Sequence, residues 1–116
     1  MRKSMTKYVA RMRYSPGSWA RMIYSHGDRT HALARMMDGL GGSLDCVYWE
    51  FGTEGALAIM DLPDSISAGA LIAAATRTGA FKWVETYELL TQEQLLAVLD
   101  VARDAAEVFE VPGEQG

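Results

Sequence analysis

The chain has 116 residues, 49% hydrophobic and 22% charged, with a net charge of −4 and a pI near 5.1, the make-up of one globular domain and not of a disordered or multidomain chain. One cysteine, Cys46, and two histidines, His26 and His31, exclude an intramolecular disulfide and supply no ligand set for metal or haem, so no metal and no cofactor is expected. Residues 1–42 carry eight basic residues against Asp28 and Asp38, and residues 43–116 carry three against thirteen acids; nucleic-acid domains are usually basic overall, with a pI above about 9, so nucleic-acid binding is not expected.

Residues 7–14 alternate Tyr8, Ala10, Met12 and Tyr14 with Lys7, Arg11 and Arg13, the period of a strand. The break at residues 15–18 follows, and Ser18 is read as the cap of a short helix holding Trp19, Met22 and Ile23. Gly27 interrupts that helix and Asp28 recaps the chain. Leu33, Met36, Met37 and Leu40 then form an apolar stripe that stops at Gly41-Gly42, the expected C-terminal signal.

A second strand is expected over residues 44–51 and a third over 56–62, joined by a hairpin turn at Gly52-Thr53-Glu54-Gly55. Pro63-Asp64 opens an alanine-rich helix that runs to about Thr78 and closes at Gly79. Residues 81–90 form the fourth strand. Thr91-Gln92-Glu93-Gln94 is a capping box, and the helix it starts keeps Leu95, Leu99, Ala102, Ala106 and Phe109 on one face.

This order predicts a single α+β domain over residues 7–110, with flexible ends at 1–6 and 111–116. The arrangement is ferredoxin-like, βαββαβ with an extra C-terminal helix: a four-stranded antiparallel sheet with helices on one face. The other face is left open and partly apolar, and a homodimer through that face is the simplest way to bury it. Residues 1–7 lead into no apolar segment and no eighteen apolar residues run together, so no membrane association and a cytoplasmic location are expected.

The open face collects the candidate binding residues. If Tyr8, Ala10 and Met12 face the helices, Val9, Arg11 and Arg13 face outward, and Asp61 joins them because burial under the helices would strand its charge. Arg11 is expected to pair with Asp61. Glu85 alternates with Phe81, Trp83 and Tyr87, so it should share its face with three aromatics. Arg11, Arg13, Asp61, Trp83, Glu85 and Tyr87 could then line a small-ligand cavity between apposed sheets, or form an ion-paired dimer interface with no cavity.

Elsewhere the side chains read more simply. His26 lies in a helix break and His31 shares a solvated helix face with Arg35 and Asp38. Cys46 reads as a buried structural thiol. The run Gly39-Leu40-Gly41-Gly42 follows a helix and lacks the lysine of a phosphate loop.

Tyr14 to Ala20, Asp28-Arg29, Leu40-Gly41-Gly42, Tyr48 to Gly52, Ala56 to Asp61 and Leu89-Leu90-Thr91 resemble the GYD-domain family of small bacterial proteins, over about residues 7–105. The resemblance implies a chain of the dimeric α+β barrel kind, in a family without an assigned activity. At the family's name-giving positions Gly52 is kept, but Glu54 and Gly55 stand where tyrosine and aspartate are usual, leaving Glu54 as the carboxylate there.

Two functions follow. One is a homodimer that binds a small apolar or carboxylated molecule between its sheets or serves an assembly role. The other is a cofactor-free enzyme, a small monooxygenase or isomerase, with His26 and Glu85 as acid–base candidates and Arg11 and Arg13 holding an anion.

Overall fold

A computed structural model describes residues 4–113. The elements run β1 (Thr6–Tyr14), α1 (Pro16–Tyr24), α2 (Arg29–Gly39), β2 (Ser43–Glu50), β3 (Gly55–Leu62), α3 (Ser65–Thr76), β4 (Phe81–Leu89) and α4 (Gln92–Val108). The strands form one antiparallel sheet in the order β2-β3-β1-β4, so the chain is α+β and ferredoxin-like. Among the described residues no helix is long and apolar enough to cross a membrane. Of the ends expected to be flexible, residues 1–3 and 114–116 lie outside the described residues.

The alternation of β1 decides which layer each side chain joins. Tyr8, Ala10, Met12 and Tyr14 are buried beneath the helices, while Val9, Arg11 and Arg13 stand half-buried on the other face. Pairing puts Tyr8 opposite Met60, Ala10 opposite Ala58 and Met12 opposite Ala56. Leu33 and Met37 from α2 and Ala68 and Leu71 from α3 complete the core. Removing a side chain the size of Met37 or Met60 from water contributes about 1.5–3 kcal/mol, so this layer dominates the stability.

Local signals set the helix ends. Asp28 caps α2, accepting from the His31 amide at 2.9 Å, and Asp64 caps α3, accepting from the Ser67 amide at 2.9 Å. The start of α1 corrects the expectation for Ser18: Ser15 is the cap, accepting from the Ser18 amide, and Pro16 occupies the first helical turn, where its missing N–H costs nothing. Ser18 is buried instead, and its hydroxyl donates to the Ala80 carbonyl at 2.8 Å, tying α1 to the start of β4.

The β2–β3 turn uses left-handed backbone at Gly52 (φ 118°) and Glu54 (φ 55°). The Glu54 carbonyl accepts from the Tyr14 amide and from the Trp19 indole, both at 3.2 Å, so the turn is pinned to β1 and α1 through its backbone. At Gly55 the backbone approaches β1 so closely that a Cβ would lie 1.9 Å from the Met12 carbonyl oxygen. The glycine at this position is therefore a steric requirement of the register.

α4 stands apart from this body. Thr91 and Gln94 form the predicted capping box, yet every residue of the helix is exposed, including Leu95 and Leu99 on its apolar face, as is Phe109, which ends the helix as its C-cap. The radius of gyration is 18.3 Å and the longest extent 63 Å, against about 13 Å for the radius of a compact chain of roughly this length.

Two glycine substitutions should act with opposite sign in urea unfolding. Gly55→Ala is expected to cost about 3 kcal/mol or more, because neither the Met12 backbone nor β3 can yield without breaking the ladder. Gly69→Ala, in an exposed turn of α3 with open space around it, should add about 0.5–1 kcal/mol. Equal effects would contradict the close approach at Gly55.

Candidate functional site

Directly opposed residues of an antiparallel ladder project to the same side of the sheet, and the register therefore fixes the open face. Lys7 lies between Asp61 and Leu89, Val9 between Ile59 and Tyr87, Arg11 between Leu57 and Glu85, and Arg13 between Gly55 and Trp83. On the outer side of β3, Cys46 opposes Ile59, Tyr48 opposes Leu57 and Glu50 opposes Gly55. Five of the six expected binding residues, Arg11, Arg13, Trp83, Glu85 and Tyr87, are brought together on β1 and β4. Asp61 shares the face at its other end.

The expected Arg11–Asp61 pair does not form. β1 and β3 are neighbours as expected, but the register sets Lys7 opposite Asp61 and moves Arg11 four residues away. Lys7 bridges Asp45 and Asp61, with Asp61 at 3.2 Å. Arg11 instead grips Glu50 with both oxygens, Nε at 3.2 Å and the terminal nitrogen at 2.9 Å, the bidentate geometry that suits guanidinium and carboxylate. It reaches Glu50 across Gly55, where no side chain intervenes.

Two irregularities redistribute other side chains. A register shift between Leu44 and Cys46 makes Asp45 the extra residue of β2, so Cys46 is half-buried on the open face and is not the fully buried thiol expected. A second shift, at Arg13/Tyr14, skips Lys82 and sends Phe81 to the helix layer. There Phe81 packs on Tyr14, with ring centroids 5.1 Å apart. Glu85 therefore shares its face with two aromatics and not three.

Hydrogen-bond partners on this face hold Lys7 and Arg11 in their charged forms. Arg11 is shifted up, first by its hydrogen bond to Glu50 and then by the charge of that group, with Glu85 and Tyr87 adding. Lys7 is shifted up by its bonds to Asp45 and Asp61. The Tyr87 hydroxyl donates to Glu85, which raises the phenol above its ordinary value. Arg13 differs from these: it lies over the Trp83 ring at 5.6 Å, and its buried Nε has no hydrogen-bond partner. Tyr48 and Tyr87, 67% and 51% exposed, stand on the same face opposite Leu57 and Val9.

A guanidinium with donors to spare, backed by an indole face, suits a planar carboxylate or an aromatic anion. His26 lies exposed in the α1–α2 connection, on the helix side of the sheet, so the two acid–base candidates are not brought together. Among the described residues, no three His, Cys, Asp or Glu side chains form a group that could hold a metal. Sequence reasoning missed Glu50, Lys7 and Asp45. The available signal was Glu50 two residues after Tyr48 in a strand leading into a hairpin, which places it beside the glycine opposite Arg13.

Residues 8–99 match the family model of the GYD domain, and the chain belongs to the GYD-domain family. No curated protein and no solved structure matches the chain. The matched span takes in the sheet apart from Thr6 and Lys7 and about the first half of α4.

The Tyr87–Glu85 bond gives a titration with a defined sign. A phenol with a higher pKa folded than unfolded stabilises the fold fully below pH 10 and loses that contribution as pH rises through the folded-state value. In an ultraviolet absorbance titration, with Tyr87→Phe identifying the signal, Tyr87 should ionise above its ordinary value. In Glu85→Gln it should fall back towards 10. An unmoved titration in Glu85→Gln would contradict the bond.

Proposed function

We propose that this member of the GYD-domain family is a homodimeric small-ligand-binding protein. Its open sheet face turns toward that of a second copy, and a small carboxylated or aromatic molecule is held against Arg13 and Trp83. The observation that carries the dimer is α4, a 17-residue helix with no buried residue. Most helical stability in proteins comes from packing an amphipathic face rather than from propensity, and an apolar face like this one needs a surface to lie on.

A second copy fits better than an unrelated partner because the open face is two-signed. Lys7, Arg11 and Arg13 are interspersed with Asp45, Glu50, Asp61 and Glu85, and a two-fold interface opposes a patch to itself, so mixed charges can be met without net repulsion. Exposed Tyr48 and Tyr87 supply the large, stiff apolar groups that interfaces favour.

The ligand reading rests on Arg13. Arg11 is engaged by Glu50 and Lys7 by two aspartates, so an incoming anion would have to displace an intramolecular partner at either of them. At Arg13 no ion pair among the described residues has to be displaced: its Nε is without a partner, and the guanidinium lies against an aromatic wall. These features support binding and positioning of a small anion.

Light scattering should give twice the 12.8 kDa of one chain at micromolar protein, and Leu99→Lys, on the apolar face of α4, should shift the mass toward one chain. Benzoate should quench tryptophan fluorescence in the native chain, with the quench at least ten-fold weaker in Arg13→Gln. A single-chain mass across that range would overturn the dimer. Undiminished quenching in Arg13→Gln would overturn the ligand site.

A further inference from the structure

On the opposite layer from the open face, the packing of the helices leaves a hole. α2 rests chiefly on β2 and α3 on β4, so the two helices flank the central strands without closing over them. Directly below the gap lie Ala10 and Ala58, opposed to one another across β1 and β3. Alanines at the middle of both central strands are too small to fill the space, and a cavity of about 250 Å³ results. Met12 and Met60 from the sheet, Leu33 from α2 and Ala75 from α3 line it. It exceeds the cavity of about 150 Å³ that stays dry and accepts benzene in a well-packed core. Methionine walls adapt readily to an irregular guest.

Among the described residues that line the cavity, the one charged side chain is Arg29, the first residue of α2. Its Nε is buried and has no hydrogen-bond partner, and no ion pair engages it among the described residues. The neighbouring Asp28 carboxylate is taken up by the His31 amide. Arg29 and Ala80 also line a wider groove along α1, where Arg21, Ser18 and Tyr24 lie. The same residue thus stands at the junction between a partly open apolar cavity and a wider, basic groove.

We propose that this is a binding site for an amphipathic monocarboxylate, its chain of about eight carbons lying over Ala10 and Ala58 and its carboxylate meeting Arg29 at the mouth. Burying the chain follows from the apolar lining. The unpartnered guanidinium gives the head group its charge-assisted hydrogen bonds, which a neutral head group of the same length would receive only in part. The site is separate from Arg13 and Trp83, which project from the other face of the sheet, and it stands or falls independently of the function proposed above.

Calorimetric titration of the full chain with octanoate tests the proposal. One octanoate should bind per chain. Arg29→Gln should weaken octanoate at least ten-fold while leaving 1-octanol unchanged, and Ala58→Leu, which fills the floor, should remove binding of both. Arg29 lies at the helix start, outside the core, so Arg29→Gln decides the matter even where Ala58→Leu fails to fold. Arg13→Gln should leave octanoate binding as it is. Absence of octanoate binding to the native chain, or binding equally tight in Arg29→Gln, overturns the proposal. Loss in Arg13→Gln with retention in Arg29→Gln would place octanoate on the open sheet face, overturning this site while leaving the other standing.

Discussion

The pairing of β1 with both of its neighbours is the constraint on which the rest depends. One register places Ala10 against Ala58 under the helices and Arg11 between Leu57 and Glu85 on the other side. It is held at one end by Gly55, where the backbones leave no room for a Cβ. A slip of one residue would send every charge of β1 into the core and every core side chain into the open face. The small side chains that permit the register also shape both candidate sites. Gly55 lets Arg11 reach Glu50, and Ala10 with Ala58 leave the cavity beneath α2 and α3.

The two faces of the sheet consequently offer different chemistry. On the open face most charges are already paired, so the arrangement favours a defined mutual orientation of two surfaces, with Arg13 the cation left with an unpartnered donor beside an aromatic wall. Exposed ion pairs contribute little to stability individually. In the proposed dimer they would discriminate between partners, since a two-signed surface tolerates its own copy and penalises a surface of uniform charge. Beneath the helices the chemistry is apolar, with a single guanidinium at the exit.

Local signals in the sequence were sufficient for what is local in the structure. The alternation in β1, the stripe on α2, the Asp28 cap and the Thr91–Gln94 box all act within a few residues, and each appears where the spacing puts it. Where two local signals competed, the more constrained one decided: Pro16 fits the first turn of α1, which makes Ser15 the cap and frees Ser18 to bond Ala80. Arg11's partner was not legible because it depends on the β1–β3 register, which is set by the turn and the closeness at Gly55. Phe81 left the face expected for it, and Cys46 lost its expected full burial, because one extra residue, Lys82 or Asp45, resets the alternation of its strand. The cavity is a sum of several small side chains on three elements, none of which is informative alone.

α4 extends this logic beyond one chain. Its capping box and apolar face are those of a helix made to pack, and among the described residues it has no buried side chain. Amide hydrogen exchange resolved along the chain tests directly whether a second copy covers it. If it does, the amides from Leu95 to Val108 will exchange as slowly as those of a packed helix at high protein concentration, and they will lose that protection on dilution as the dimer dissociates. Rapid exchange throughout α4 at every concentration, with the sheet still protected, would show that the helix has no partner surface and would contradict the dimer.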